Sequence, residues 1–376
     1  MEVTRGYLKA FNREKRILKI FGIYPLEKMQ LKYLRFIVCF TINFIQLALI
    51  MILLVVNDIE NFMEALHFMT ITITVLSKIS RLFMAAKDMK DIENYLANFE
   101  TSKIPHGIVG YVIDEAYFRD RFYLPQWTLI TFLTLLQLAT CLIFHNQRLV
   151  FIVSWFPFDL QKPEFYFPTV IFQIIVLIFN AFPNIAIDTT YYVLVDIACC
   201  ELDILMYKLT NLDPSKNTND TIKELKEDVI CHQTILRFIL CVQNNVFAGL
   251  MFLQCIGSII TICVLGFQFT TTFQRNWFNF VQHMVYGSSM IFQIFCYTWF
   301  GEKFTRKSQE ITQACYMSRW NECDIRIQKI LLNIMTRSIK PLYLTSYIFD
   351  LTLQTFIKVL KSSYSYMALL NTIYSQ

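Results

Sequence analysis

Long apolar runs alternate with shorter polar segments over most of the chain, and this pattern predicts helices that cross a membrane. A helix needs about 20 mostly apolar residues to span a bilayer. We therefore predict an all-α membrane protein with seven transmembrane helices. The seven segments are S1 (Tyr33–Val56), S2 (Phe62–Ala85), S3 (Gln126–Phe144), S4 (Phe167–Val195), S5 (Phe238–Phe269), S6 (Trp277–Phe300) and S7 (Leu342–Tyr374).

Two of these segments are longer than a bilayer requires. S4 and S5 predict helices that continue into the cytoplasm, over Asp196–Lys208 and Thr221–Arg237. Pro183 lies inside S4, where a proline is expected to kink the helix. We therefore expect a helical cytoplasmic part below the membrane spans.

The composition agrees with a membrane protein and argues against common enzyme classes. Hydrophobic residues make up 55% of the 376 residues and charged residues 17%, whereas soluble domains average about 45–50% and about 25%. The first thirty residues are basic and polar, which predicts no cleavable signal peptide. The sequence has no G-x-S-x-G, P-loop, G-x-G-x-x-G or H-E-x-x-H motif, and its eleven cysteines form no C-x-x-C pair. We expect no catalysis, no metal and no other cofactor.

The distribution of positive charge predicts the orientation. With the N-terminus inside, the inner segments 1–35, 86–125, 205–237 and 303–340 hold 27 of the 34 Lys and Arg residues. The outer segments 57–61, 146–165, 271–276 and 371–376 hold three. The positive-inside rule then places the N-terminus in the cytoplasm and the C-terminus outside, the reverse of a G-protein-coupled receptor. The net charge of +5 is modest, and we expect no nucleic-acid partner.

S7 combines an apolar helix with polar positions. Lys358 and Lys361 lie inside it, and a lysine there costs about 2.5–3.5 kcal/mol unless it reaches water or a partner. A spacing of three to four residues places one set of side chains on a common face. On spacing alone, that face fits either a wet pore wall or close helix packing. A pore also requires an oligomer, because one helix encloses nothing. The set is Ser362, Ser365, Leu369 and Thr372 or Ile373.

Three blocks in the last eighty residues resemble the insect odorant receptor family. The first is Phe295–Glu302 with the following Ser308–Trp320, the second is Met335–Leu342, and the third is Thr355–Tyr366. The third ends in Ser-Tyr-Ser-Tyr, a run typical of the ligand-tuning subunits rather than of the shared co-receptor. Met367 replaces the aromatic residue that commonly follows.

The resemblance implies a ligand-gated, non-selective cation channel that takes part in sensory transduction. Its subunits form a heterotetramer with the odorant receptor co-receptor in the plasma membrane of the olfactory neuron dendrite. Residues 1–300 would hold spans S1–S6 and the ligand pocket, residues 301–341 a cytoplasmic anchor that assembles the oligomer, and residues 342–376 the pore helix. Alignment on Ser365 and Tyr366 maps the pore gate to Leu369 and Ile373, with Ser362, Ser365 and Thr372 lining the pore.

The resemblance also places a ligand pocket in the outer half of the bundle, between S2, S3, S4 and S6. The ligand would be a small volatile odorant, and the aromatic candidates favour a small aromatic or heterocyclic one. Thr140 and Tyr286 are the natural hydrogen-bond donors. The candidates chosen by depth in the membrane are Phe68, Ile71, Leu136, Thr140, Ile175, Phe179, Met284 and Tyr286.

Two other functions stay open at this point. A gustatory-type or a metabotropic chemoreceptor of inverted topology would share the predicted spans and orientation. A transporter is less favoured, because the sequence shows no internal repeat of the kind common in secondary transporters. Membrane lipid is the remaining expected partner.

Overall fold

The computed structural model describes residues 7–26, 31–56, 59–101, 108, 152, 154–160, 162–272 and 277–374. These residues are mostly helical. A π-helical segment (Cys241–Phe247) joins α6 to α7, and a short 3-10 turn (Trp320–Glu322) precedes α9. The helices are α1 (Tyr7–Ile20), α2 (Leu31–Val56), α3 (Ile59–Met84), α4 (Ala86–Thr101), α5 (Pro163–Thr210), α6 (Thr218–Leu240), α7 (Ala248–Thr272), α8 (Trp277–Met317), α9 (Ile325–Ser338) and α10 (Leu353–Tyr374).

The predicted helices of S1, S2, S4, S5 and S6 are confirmed. They correspond to α2, α3, α5, the end of α6 with α7, and α8. The predicted extensions are helical as well, because α5 continues to Thr210 and α6 covers Thr221–Arg237. S3 lies outside the described residues, so the count of seven spans stays a prediction.

Three stretches of the described chain are long and apolar enough to cross a membrane. They are Leu31–Leu53, Pro163–Thr210 and Thr218–Gln268. A fourth is the pair Ala65–Met84 and Ala86–Phe99, which is bent by 70° where α3 meets α4. By length and composition, these helices suit a multi-pass membrane protein.

The start predicted for the last helix is wrong. S7 begins at Leu342, but α10 begins at Leu353. The residues between them form a short antiparallel hairpin, in which β1 (Thr345–Ser346) pairs with β2 (Phe349–Asp350). Tyr347 at the turn has a φ of 57°, a left-handed conformation that cannot continue a helix.

The core surrounds the second half of α5. Every residue from Ile185 to Leu205 is buried, which is the pattern of a helix packed on all sides. α8, α1, α6, α3 and α2 all contact α5. This half of α5 is the central post of the fold.

Two local features position α9 and the residues that lead into α10. The Asp324 side chain accepts from the Arg326 backbone N–H at 2.8 Å and caps α9, which lowers the pKa of Asp324. At Gly301 in α8, an added Cβ would lie 2.1 Å from the carbonyl oxygen of Leu351. Only glycine permits this direct backbone contact between α8 and the residues that lead into α10.

Candidate functional site

A cavity lies where α3, α5 and α8 diverge in the first half of α5. Its volume is about 110 Å³ and its wall is mainly apolar. Apolar walls with a few placed polar groups are the usual form of a site for a small organic molecule. The lining residues are Phe68, Ile71, Thr72, Ile152, Val176, Leu177, Asn180, Ala181, Asn184, Tyr286, Ser289 and Met290.

Three of the residues chosen from the sequence meet in this cavity. Phe68 and Ile71 come from α3 and Tyr286 from α8. The rings of Phe68 and Tyr286 lie edge to face, with centroids 6.3 Å apart and planes at 85°. This arrangement is a favourable one for an aromatic pair and forms one wall of the cavity.

The other candidates lie elsewhere. Ile175 is 38% exposed and Met284 is 48% exposed, while Phe179 packs its ring edge to face against Phe21 at 5.3 Å. Each misses the cavity by one or two positions along its helix, and one position rotates a side chain by about 100°. Val176, Asn180 and Met290 occupy the cavity wall on those helices instead. Leu136 and Thr140 lie outside the described residues.

A buried ion pair closes the inner end of the cavity. Lys78 is 1% exposed and its Nζ lies 2.6 Å from Asp188 Oδ1 and 2.7 Å from Asn184 Oδ1. Tyr297 and Gln293 of α8 also donate to the Asp188 carboxylate. A buried charge is tolerated only where it is paired and hydrogen-bonded. The pair therefore connects α3, α5 and α8 at this depth.

The polar contacts continue to α7. Gln254 donates to Gln293 at 2.9 Å and to Ser258 at 3.0 Å. α7 in turn packs along α10. One connected set of hydrogen bonds therefore runs from a cavity-lining residue, Asn184, to the helix beside α10.

α10 is buried on one face and uncovered on the other. Val359 and Ser363 are buried, and the Ser363 hydroxyl donates to the Val359 carbonyl at 3.0 Å. Leu369 on the far side is 56% exposed. At about 100° per residue, the far side brings together the predicted pore residues and both lysines. Of these, Ser362 is half-buried, and the others are exposed: Lys358, Lys361, Ser365, Leu369 and Thr372. The side chain of Ile373 lies outside the described residues.

A side chain from the π-helical segment holds the hairpin before α10. Gln243 donates to the Thr345 carbonyl at 2.6 Å and accepts from the Tyr191 hydroxyl at 3.1 Å. π-helical turns often occur at functional positions, because they redirect side chains out of the regular helical pattern. Gln243 thus ties the central post to the segment that leads into α10.

The inner end of the molecule has its own buried ion pairs and an exposed apolar patch. Lys303 of α8 pairs with Asp196 of α5 at 2.7 Å, and Lys307 pairs with Asp203. On α9, Leu331 and Ile334 are buried within the chain, Ile330 is partly buried, and Ile325 is 67% exposed. Exposed apolar side chains at this end include Tyr316, Met317, Trp320, Ile325, Leu332 and Ile339.

No group of three or more His, Cys, Asp or Glu residues is placed to hold a metal ion in the part of the chain that the structure describes. The ten cysteines among these residues are free thiols, most of them buried. The cavity presents a mainly apolar surface and a few hydrogen-bonding side chains to a ligand.

Comparisons with known proteins agree on one family. Residues 58–364 match the model of the family described as 7tm Odorant receptor. Putative odorant receptor 92a of Drosophila melanogaster is 30% identical over 132 residues, which is 35% of this chain and 32% of that protein. Odorant receptor 10 of Aedes albopictus is 27% identical over 195 residues, 52% of this chain and 51% of that protein. The chain thus matches about half or less of the length of these relatives.

The fold also matches a solved structure. The insect olfactory receptor OR5 from Machilis hrabei in complex with eugenol superposes with a TM-score of 0.85. The match covers 98% of this chain and 100% of that chain, at 18% sequence identity. At this identity the likeness is one of fold.

Proposed function

Because the chain belongs to the 7tm odorant receptor family, we propose that it is the odorant-binding subunit of a ligand-gated, non-selective cation channel. It is a multi-pass plasma-membrane protein and a receptor rather than an enzyme. We propose seven spans with the N-terminus in the cytoplasm and the C-terminus outside. The 27 Lys and Arg residues in inner segments, against three in outer ones, support this orientation.

The uncovered face of α10 is the observation that carries the channel proposal. Small polar side chains lie below Leu369 on that face, and nothing within the described chain covers it. Ser362, Ser365 and Thr372 would line the pore, and Leu369 with Ile373 would form an apolar gate. Apolar constrictions close a pore to ions by excluding water.

An oligomer is part of the same proposal. One α10 cannot enclose a pore, so copies of this chain and of the co-receptor would surround it as a heterotetramer with cyclic symmetry or pseudosymmetry. The apolar side chains exposed around α9 supply a surface for the cytoplasmic anchor. Ile325 and Leu332 project from it, 67% and 60% exposed. Exposed apolar patches of this kind are typical of assembly surfaces.

The cavity supports the odorant-binding part of the proposal. Phe68, Ile71 and Tyr286 would contact the ligand, joined by Leu136 and Thr140 of S3. A cavity of about 110 Å³ suits one ring or a short chain, since an engineered cavity of about 150 Å³ in another protein binds benzene. The OR5 structure of similar fold was solved with eugenol, which supports a small aromatic volatile here.

The test is odorant-evoked current in cells that express this chain with and without the co-receptor. Current in excised patches without nucleotide would identify a channel, whereas current that requires a cytoplasmic second messenger would indicate a metabotropic receptor. The gate is tested by the double substitution Leu369→Ala with Ile373→Ala. We expect it to conduct without odorant, because the apolar constriction is lost.

Leu370→Ala is the matched control for the gate. Leu370 is half-buried on the face of α10 that packs against the chain. The Leu370→Ala variant should therefore leave the resting pore closed. A double variant that stays closed at rest and opens normally with odorant would remove Leu369 and Ile373 from the gate.

A further inference from the structure

We infer that the Asn184 amide nitrogen donates a hydrogen bond to the bound odorant, which therefore carries a carbonyl or another hydrogen-bond acceptor. This depends on the proposed function in one respect, namely that the cavity is the odorant site. It adds the chemical class of the ligand and the end of the cavity at which its polar atom sits.

The orientation of the Asn184 amide follows from Lys78. An ammonium group only donates, so the amide atom 2.7 Å from Lys78 Nζ must be the oxygen. Lys78 is itself buried and held by Asp188 at 2.6 Å, so it cannot turn away. The amide oxygen is therefore committed to the inner side. The –NH₂ group remains for the cavity that Asn184 lines.

Three other polar side chains at the cavity already donate to the protein. The Thr72 hydroxyl donates to the Phe68 carbonyl at 2.8 Å, and the Ser289 hydroxyl donates to the Tyr286 carbonyl at 2.7 Å. Asn180 donates to Asn43 Oδ1 at 3.1 Å. No such bond from the Asn184 amide nitrogen exists among the residues that the structure describes. A ligand acceptor at this position would satisfy a donor that the fold leaves open.

The remaining wall decides where the rest of the ligand lies. Ile71, Val176, Leu177 and Met290 are apolar and surround the space away from Asn184. With its acceptor atom beside Asn184, the ligand would thus point its apolar part towards Phe68 and the aromatic wall. An aldehyde or ketone of seven to nine heavy atoms has this shape.

Matched ligand pairs test the donor directly. Benzaldehyde and styrene, cyclohexanone and methylenecyclohexane, and 2-heptanone and 2-methyl-1-heptene each differ by the exchange of a carbonyl oxygen for a CH₂ group. We expect the purified protein to bind the carbonyl member of at least one pair about tenfold more tightly, since a buried donor left unpaired is costly. Binding is measured by ligand-induced thermal stabilisation in detergent, which does not require an open channel.

Two variants remove the donor in different ways. Asn184→Leu removes the whole amide, and Asn184→Asp replaces the –NH₂ group with an oxygen while keeping a partner for Lys78. Both should abolish the preference for the carbonyl ligand by weakening its binding relative to that of the alkene. Ser289→Ala is the control, because it removes a polar group from the same cavity without removing a donor to the ligand, and it should keep the preference.

The outcomes separate this inference from the channel proposal. Equal binding of carbonyl and alkene, binding of neither member of any pair, or a preference that survives both Asn184 variants overturns the assigned donor. The expected binding pattern without odorant-evoked current would instead overturn the channel and leave the donor standing. If Asn184→Leu fails to fold, styrene binding by Asn184→Asp shows whether the cavity is intact and the comparison is made on that variant.

Discussion

The two halves of α5 differ in how completely their side chains are buried. From Pro163 to Phe182 the helix has one partly exposed face, with Ile171 and Ile175 uncovered, and its other side borders the cavity. From Ile185 to Leu205 every side chain is buried. The change falls at Asn184, where Lys78 ties the helix to α3 and α8. The cavity thus lies where packing is incomplete, next to a region that is packed completely.

The contrast has an energetic consequence. Closely packed interiors lose stability when even one methylene group is removed, whereas a region beside a cavity has room to adjust. Changes in the first half of α5 should therefore alter ligand binding at little cost in stability. Changes in the second half should alter stability first. The following substitutions compare stability and ligand binding between the two halves.

The largest effect is expected at the boundary between the halves. Lys78→Met leaves the Asp188 carboxylate buried without its cation, and breaking a buried pair in this way costs about 3–5 kcal/mol. Adding Asp188→Asn removes the second charge and should recover more than half of the loss. Thermal unfolding in mild detergent measures both. A single variant as stable as the unmodified protein would show that water reaches this site.

The next largest effect compares one residue type in both halves. Ile187 is 1% exposed, and Ile175 is 38% exposed on the same helix. Ile187→Ala should cost about 2–5 kcal/mol of unfolding free energy, because it leaves a cavity in a region that cannot collapse. Ile175→Ala should stay within about 0.5 kcal/mol. Equal losses at the two positions would contradict the contrast between the halves.

A larger side chain should have opposite effects in the two halves. Ala181 lines the cavity and Ala186 is fully buried. Ala186→Leu overpacks the core and should cost about 1–3 kcal/mol. Ala181→Leu fills part of the cavity, so it should leave stability unchanged or raise it by about 0.5 kcal/mol while weakening the odorant response. Odorant dose–response curves and thermal unfolding on the same preparations check the pair.

The smallest effect concerns a third region, α10, whose exposed face has another origin. Lys361 lies on the face assigned to the pore, and a cation there repels other cations through a screened Coulomb interaction. Lys361→Gln should raise the calcium-to-sodium permeability ratio about twofold, as measured by reversal potentials. Lys340→Gln, an exposed lysine outside α10, is the control. An unchanged ratio would place Lys361 away from the ion path.

The sequence predicted helices more reliably than their ends or rotations. Apolar runs as long as Leu31–Val56 have few alternatives in a membrane. The helix start predicted at Leu342 is wrong because five of the eight residues from Tyr343 to Asp350 are apolar or aromatic, although the segment is too short to be a span. Periodicity does not separate a helix from a strand over so few residues. The hairpin depends on contacts with α7 and the π-helical segment, which the sequence does not reveal.

Three of the residues predicted for the ligand site line the cavity, and the other candidates that the structure describes do not. Phe68, Ile71 and Tyr286 lie in its wall, whereas Ile175 misses it by one residue, since depth in the membrane does not determine rotation. A polar stripe on α5 is the sequence signal for this region. Asn180, Asn184 and Asp188 recur every four residues inside an apolar helix, and an ionisable residue at such a position indicates a functional site with a partner.

The contact at Gly301 has a mechanical consequence. The backbone of α8 at Gly301 contacts the backbone at Leu351 directly. No flexible side chain lies between them that could change conformation when α8 moves. Side chains elsewhere can change rotamer and take up small shifts, but two backbones in contact must move together. A shift of α8, which contributes Tyr286 to the cavity, would therefore reach the first turn of α10 with little loss of amplitude.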